Sequence, residues 1–307
     1  MNRVESQKWI KEAFHHALRR PWMSLGLFAA LVTVTVILSQ NLAGMPTDGF
    51  STPVRLAFWA GMGGFAATAI GALPALFIRA VPAKVEDSML GFAAGMMLAA
   101  SSFSLIIPGM DAGTLIYSSK VYGSLLVVAG MIIGVFLMLG LEAFTPHNHQ
   151  NAGSFGPGHQ AYGGMMLFVF AIALHNLPEG MAFGVSFSKG DMAVGLPVST
   201  AIAIQDVPEG LAVALALRGV VKQAWKAVLI AAMTGALEPL GALLGVFLAG
   251  GLPFAYPMAM GISAGAMIFV VSHEVIPETH RNGHQTFATI GLMVGFIMMM
   301  ILDTALG

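Results

Sequence analysis

Two related six-residue stretches carry the densest chemistry in the chain. His175-Asn176-Leu177-Pro178-Glu179-Gly180 is followed thirty positions later by Gln205-Asp206-Val207-Pro208-Glu209-Gly210, and each lies in a segment apolar enough to cross a membrane. Ionisable groups are costly in hydrocarbon, so inside a membrane helix they point to function by default. On a helix turning about 100° per residue, the first residue of a copy sits at zero, the second at about 100° and the Glu at about 40°. The Glu therefore lies between its two neighbours and is placed to be shared by two ions. Each copy reads as half of a two-metal site. Nitrogen and oxygen donors without thiolate suit Zn²⁺ and similar first-row divalent cations.

A third carboxylate-proline pair, Glu238-Pro239, falls at comparable depth in a later apolar run. Glu179, Asp206, Glu209 and Glu238 sum to four negative charges when ionised, which two divalent cations neutralise. Clustered carboxylates hold protons when no metal is present, so metal binding is expected to release protons and to depend on pH. Pro178 and Pro208 cannot donate to the carbonyls of Leu174 and Ile204, which frees a backbone oxygen beside each polar cluster. Such breaks are tolerated in a membrane only where protein or a water-filled cavity satisfies the backbone.

These residues require membrane helices to position them, and the composition supplies them. Hydrophobic residues make up 57% of the 307 and charged residues only 9%, with a mean hydropathy of +0.80. That balance indicates a polytopic membrane protein. A net charge of -1 offers no surface for nucleic acid, and the absence of Cys removes disulfides and thiolate chemistry. Abundant Gly suits close helix packing, and abundant Met suits core filling. A span needs roughly 20 apolar residues. Nine such runs are read, near Trp22–Leu42, Val54–Ile78, Ser88–Pro108, Gly123–Phe144, Gly163–Ser188, Leu196–Leu217, Ala224–Ala249, Phe254–Ile276 and Phe287–Leu306. The first has a long leading region with Lys8, Lys11, Arg19 and Arg20 and no convincing cleavage site, so it is read as an uncleaved helix.

Loop charge sets the orientation. With the N-terminus in the cytoplasm, the inner side holds Arg3, Lys8, Lys11, Arg19, Arg20, Arg79, Lys84, Arg218, Lys222, Lys226 and Arg281, eleven of the 14 basic residues. The outer side keeps Arg55, Lys120 and Lys189. The C-terminus is then outside. Gly91, Ala94, Gly95, Met97, Ser102 and Ile106 match Gly261, Ala264, Gly265, Met267, Ser272 and Ile276 at a constant offset. The first stretch runs outward and the second inward, the mark of an inverted repeat with a midplane site.

With its His-Asn-x-Pro-Glu-Gly in one helix and x-Asp-x-Pro-Glu-Gly in the next, the chain resembles the ZIP (Zrt/Irt-like) family of divalent-metal transporters, in its bacterial GufA-like branch. The resemblance runs from about residue 50 to the end. It implies an all-α polytopic bundle with an eight-helix core over 51–307, preceded by a cytoplasmic leader and one extra helix within 1–50. It also implies metal movement into the cytoplasm across a bacterial inner membrane, a binuclear site between the fourth and fifth core helices, and a homodimer. Zinc is the expected cargo, with cadmium, iron and manganese as alternatives. Carried over by motif, His175, Glu179, Gln205 and Glu209 hold one ion. Asn176, Glu179, Asp206, Glu209 and Glu238 hold the second, and Met97 resembles a further ligand. Gln205 stands where many members have His, and Asn and Asp occupy the second site, which leaves the substrate preference open.

Around this centre, His273-Glu274 and Pro277-Glu278 lie near the inner end of the eighth run, with His280 and His284 beyond. Together these residues form a candidate exit relay. The string is not a metalloprotease H-E-x-x-H, because His280 comes seven residues after His273. An inner segment with His147, His149 and His159 is rich in Gly and Asn and reads as a flexible metal-collecting loop. Asp111 is a candidate cation attractor at the outer mouth, and His15-His16 read as surface residues. An intramembrane metallohydrolase would need a metal-bound nucleophilic water, a general base and a substrate groove, and no motif supplies them. A metal-sensing receptor would need a signalling domain, and none of useful size is present. A transporter, not an enzyme, is the reading.

Overall fold

Residues 17–43, 51–144, 147–149, 153–155, 164–219, 221–280 and 282–306 are described by a computed structural model. Helix α1 spans Pro21–Ala43, α2 Thr52–Leu76, α3 Ala83–Tyr117, α4 Lys120–Phe144 and α5 Gly164–Ser186. Helix α6 spans Met192–Arg218, α7 Ala224–Ala249, α8 Ala255–Thr279 and α9 Gln285–Leu306. Each of the nine expected runs falls on one of these helices. Among the described residues, all but α5 meet the length and hydropathy of a membrane span, and α5 is 23 residues long. The molecule is a polytopic helical bundle.

The helices sort into two groups. Helices α2, α5, α6 and α7 associate chiefly through α2 on α6 and α7 on α5. Helices α3, α4, α8 and α9 associate through α3 on α9 and α8 on α4. The groups meet where α3 touches α6 and α8 touches α5. Exchanging α2 with α7, α3 with α8, α4 with α9 and α5 with α6 turns this set of contacts into itself. That is the inverted repeat expected from the glycine register. Lipid-facing interfaces gain little from burying apolar surface, so small residues that let backbones approach carry the association. Gly91 and Gly95 of α3 lie against the backbone of α9 at Ala288 and Leu292. Their counterparts Gly261 and Gly265 of α8 lie against α4 at Val127 and Met131.

Two further features obey the same symmetry. Helix α3 contains a π-helical stretch over Ala100–Ile106, and α8 contains one over Val271–Val275. Each is followed by Ile-Pro, at Ile107-Pro108 and Ile276-Pro277. The prolines cannot bond to the carbonyls of Ser104 and His273, and widening the turn accommodates the mismatch. The α3 span expected to end at Pro108 therefore continues to Tyr117, and its 35 residues exceed the expected length. Helix α7 is divided, Ala224–Thr234 and Leu237–Ala249 being separated at Gly235-Ala236. Helices α5 and α6 remain helical through Pro178 and Pro208, and α6 starts earlier than expected because Asp191 caps it by accepting from the Ala193 N–H at 2.9 Å.

Helix α1 packs on α4, with Gly26 against the Phe136 ring and Gly140 against Leu27. Its Val34 and Ile37 join the apolar cluster of Met181, Val185 and Leu248. Within the segment read as a metal-collecting loop, β1 His147–His149 pairs antiparallel with β2 Gly153–Phe155. His159, the leader with His15 and His16, and Arg281 lie outside the described residues.

Candidate metal centre

Helices α5 and α6 bring the two signatures together. One carboxylate oxygen from each of Glu179, Asp206 and Glu209 lies within 4.8 Å of the other two. Gln205 donates its side-chain N–H to Glu179 Oε1 at 2.7 Å. His175, Asn176, Glu179, Gln205, Asp206 and Glu238 are buried, with Gln205 and Glu238 at 0% exposure. The helical spacing explains the convergence: first, second and fifth residues of each copy share one face, and the two faces oppose one another.

Glu238 enters from the broken helix α7, its backbone packed against Gly180 of the first signature. The interruption at Gly235-Ala236 places it in the first turn of the second half of α7. Thr68 of α2 donates to Glu238 Oε1 at 2.9 Å.

Four buried oxygens of these residues have no hydrogen-bond donor: Glu179 Oε2, Gln205 Oε1, Asp206 Oδ2 and Glu238 Oε2, the last lying against Gly64 and near the Phe183 ring. Buried acceptors are almost always paired, and an unmet one costs roughly 1–3 kcal/mol. A set of acceptors with one shared deficiency is satisfied by cations. The donor set, oxygen-rich with one imidazole, fits Zn²⁺ and its neighbours.

The expected exit residues attach to the centre unequally. His175 Nε2 and Glu274 Oε2 are 2.6 Å apart, so Glu274 of α8 reaches the first signature directly. His273 points elsewhere, is 47% exposed and pairs with Glu142 Oε1 at 3.0 Å. These two neighbours of the expected relay are thus split, Glu274 on the first signature and His273 on α4. The tight pairing was invisible because π-helical winding changes the angle between successive side chains. Met97 is not among the converging oxygens. It sits in an apolar cluster with Ala182, Phe183 and Met267, its own repeat partner.

Beyond these, His284 and Asn282 both bond the buried Asp87, at 2.9 Å each. His280 bonds back to the Ile276 carbonyl and to Thr279, which makes it part of a helix end. Sequence reading overlooked Glu142, Asp87 and Thr68. Glu142 carried a signal, a carboxylate within a 25-residue apolar helix. Thr68 carried none.

A buried carboxylate cluster able to hold a cation, set inside an inverted-repeat membrane bundle, fits a solute transporter. The comparisons with known proteins agree. The model of the family described as ZIP Zinc transporter matches residues 143–303. Zinc transporter ZIPB of Bordetella bronchiseptica is 55% identical over 299 residues, covering 97% of both chains. Zinc transporter GufA of Myxococcus xanthus is 39% identical over 241 residues, covering 78% of this chain and 95% of its own. Human zinc transporter ZIP11 is 26% identical over 328 residues, covering 78% and 94%. The chain belongs to the ZIP zinc transporter family.

Proposed function

We propose that this protein moves divalent transition-metal cations, zinc first, into the cytoplasm through a binuclear site at mid-membrane depth. The observation that carries this reading is the group of four buried acceptor oxygens left without donors at the meeting of α5, α6 and α7. In this assignment His175, Glu179, Gln205 and Glu209 hold the first ion. Asn176, Glu179, Asp206, Glu209 and Glu238 hold the second, with Glu179 and Glu209 shared. Met97 belongs to the same core cluster as Ala182 and Phe183, three and four residues after Glu179, and is kept as a soft ligand beside the first ion.

The ion leaves by ligand exchange. Glu274 already touches His175, so a cation on His175 gains a carboxylate on α8 as it loses one of the signature ligands. His273 with Glu142 offers the next pair of donors. Cadmium, iron and manganese present similar charge and accept the same donors, and they are further candidate cargo. The unit of transport is 51–307, with α1 as an added helix. The protein is proposed to reside in a bacterial inner membrane as a homodimer, with its N-terminus in the cytoplasm. Zinc uptake into sealed proteoliposomes, measured with and without a pH gradient, tests the reading. Uptake is expected with the wild type and lost when the signature carboxylates are removed; equal uptake in both would refute it.

Orientation is tested separately. The chain has no Cys, so single introduced thiols report cleanly. Lys189→Cys and Gly307→Cys are expected to react with an impermeant thiol reagent in intact cells, and Lys222→Cys is not. The reverse pattern would overturn the topology and the import direction together.

A further inference from the structure

Thr68 lies outside both signatures, yet it holds the carboxylate that α7 adds beside them. Its hydroxyl donates to Glu238 Oε1 at 2.9 Å, and both residues are buried. The pocket around that carboxylate is narrow. A Cβ at Gly64 would overlap Glu238 Oε2 and come within 2.7 Å of the Phe183 ring. A Cβ at Gly235 would lie 3.0 Å from both Glu238 Oε1 and the Thr68 Cβ. Gly180 of the first signature presses on the Glu238 backbone. The carboxylate is therefore confined on several sides, with one oxygen occupied by Thr68 and the other, Oε2, without a donor.

We propose that Thr68 is a specificity-determining positioning residue, which holds Glu238 as a one-oxygen ligand and so favours a small divalent cation over a larger one. The inference rests on the binuclear reading, in which Glu238 serves the second ion. A small ion such as Zn²⁺ takes few ligands at short distance and needs only one oxygen from each carboxylate. Larger divalent cations accept more oxygens, and carboxylates serve them in two-oxygen fashion. Accepting the Thr68 hydrogen uses one of the lone-pair sites of Oε1 and fixes its direction, which leaves Oε2 as the better donor of the two. Removing that donor releases Oε1 and tilts the site towards the larger ion.

The test uses the full chain with Thr68→Val, which keeps the shape and deletes the donor, and Thr68→Ser, which keeps the donor. Zinc and cadmium binding are titrated by calorimetry for each, and the unfolding temperature is measured without metal. Thr68→Val is expected to weaken the second zinc by about tenfold, the scale of a lost hydrogen bond to a charged group. Cadmium should weaken less, so the zinc-to-cadmium ratio falls several-fold. Thr68→Ser is expected to retain the wild-type ratio and the wild-type metal-free unfolding temperature, while Thr68→Val should remain folded with a modestly lower one. An unchanged ratio in Thr68→Val, or an equal fall in both variants, overturns the inference. Glu238→Gln separates the two levels. If it keeps both ions at wild-type affinity, the binuclear reading fails with the inference; if it loses the second ion while Thr68→Val leaves the ratio intact, only the role of Thr68 fails.

Discussion

Glu179→Ala is expected to bind neither ion and to transport no zinc, and Glu209→Ala should behave the same way. In the proposed binuclear assignment each Glu serves both ions, so one truncation removes a donor from both. Glu179 has a second duty, because its Oε1 accepts the Gln205 amide at 2.7 Å and thereby orients another donor. Removing one partner of a buried charge interaction costs about 3–5 kcal/mol, which is more than a hundredfold in affinity. Asn176→Ala is the contrasting variant. It removes a neutral ligand of the second ion alone and should leave one tightly bound zinc. Metal content of the purified variants, measured by elemental analysis, decides the matter. Two ions retained in Glu179→Ala would sink the bridging assignment. Misfolding is separable from ligand loss: a cooperative metal-free unfolding transition in each variant shows that the bundle still forms, so any missing ions then report on the ligands.

The second large effect concerns the scaffold. Gly95→Ala and Gly265→Ala are each expected to destabilise the bundle by about 1–3 kcal/mol, the usual cost of overpacking. At position 95 the new Cβ would overlap the Leu292 carbonyl oxygen, and at 265 that of Met131. Both obstacles are backbone, which cannot rotate aside as a side chain does. The two glycines occupy matching places in the inverted repeat, so their losses should be similar. Gly63→Ala is the control, since a Cβ there meets nothing within 4 Å. Unfolding in detergent, followed by helical signal, measures all three. A loss confined to one of the two repeat positions would contradict equivalent packing of α3 on α9 and α8 on α4.

Much of this architecture was legible beforehand because hydrocarbon is an unforgiving solvent. A chain that must satisfy its backbone inside a membrane forms helices, and apolar runs of span length reveal where. The same cost makes any carboxylate within such a run informative, which is why His175 to Glu179, Gln205 to Glu209 and Glu238 stood out. The glycine register of α3 and α8 announced the repeat because small residues must recur wherever backbones approach closely.

The tertiary structure decided which helices meet and which atoms face one another. Periodicity places a side chain on a face but says nothing about the helix opposite it. Thr68 and Glu238 are 170 residues apart, and His175 and Glu274 are 99 apart. Neither pairing has a local signature. Nor does the separation of His273 from Glu274, which depends on a π-helical turn that changes the angular step between neighbours. Residue types and spacing along the chain thus determined that a metal-binding membrane bundle forms and which carboxylates it buries. Only the packing of α2, α7 and α8 around the two signatures decided which oxygens are occupied by protein donors and which are left without one, because that depends on distances between atoms far apart in sequence.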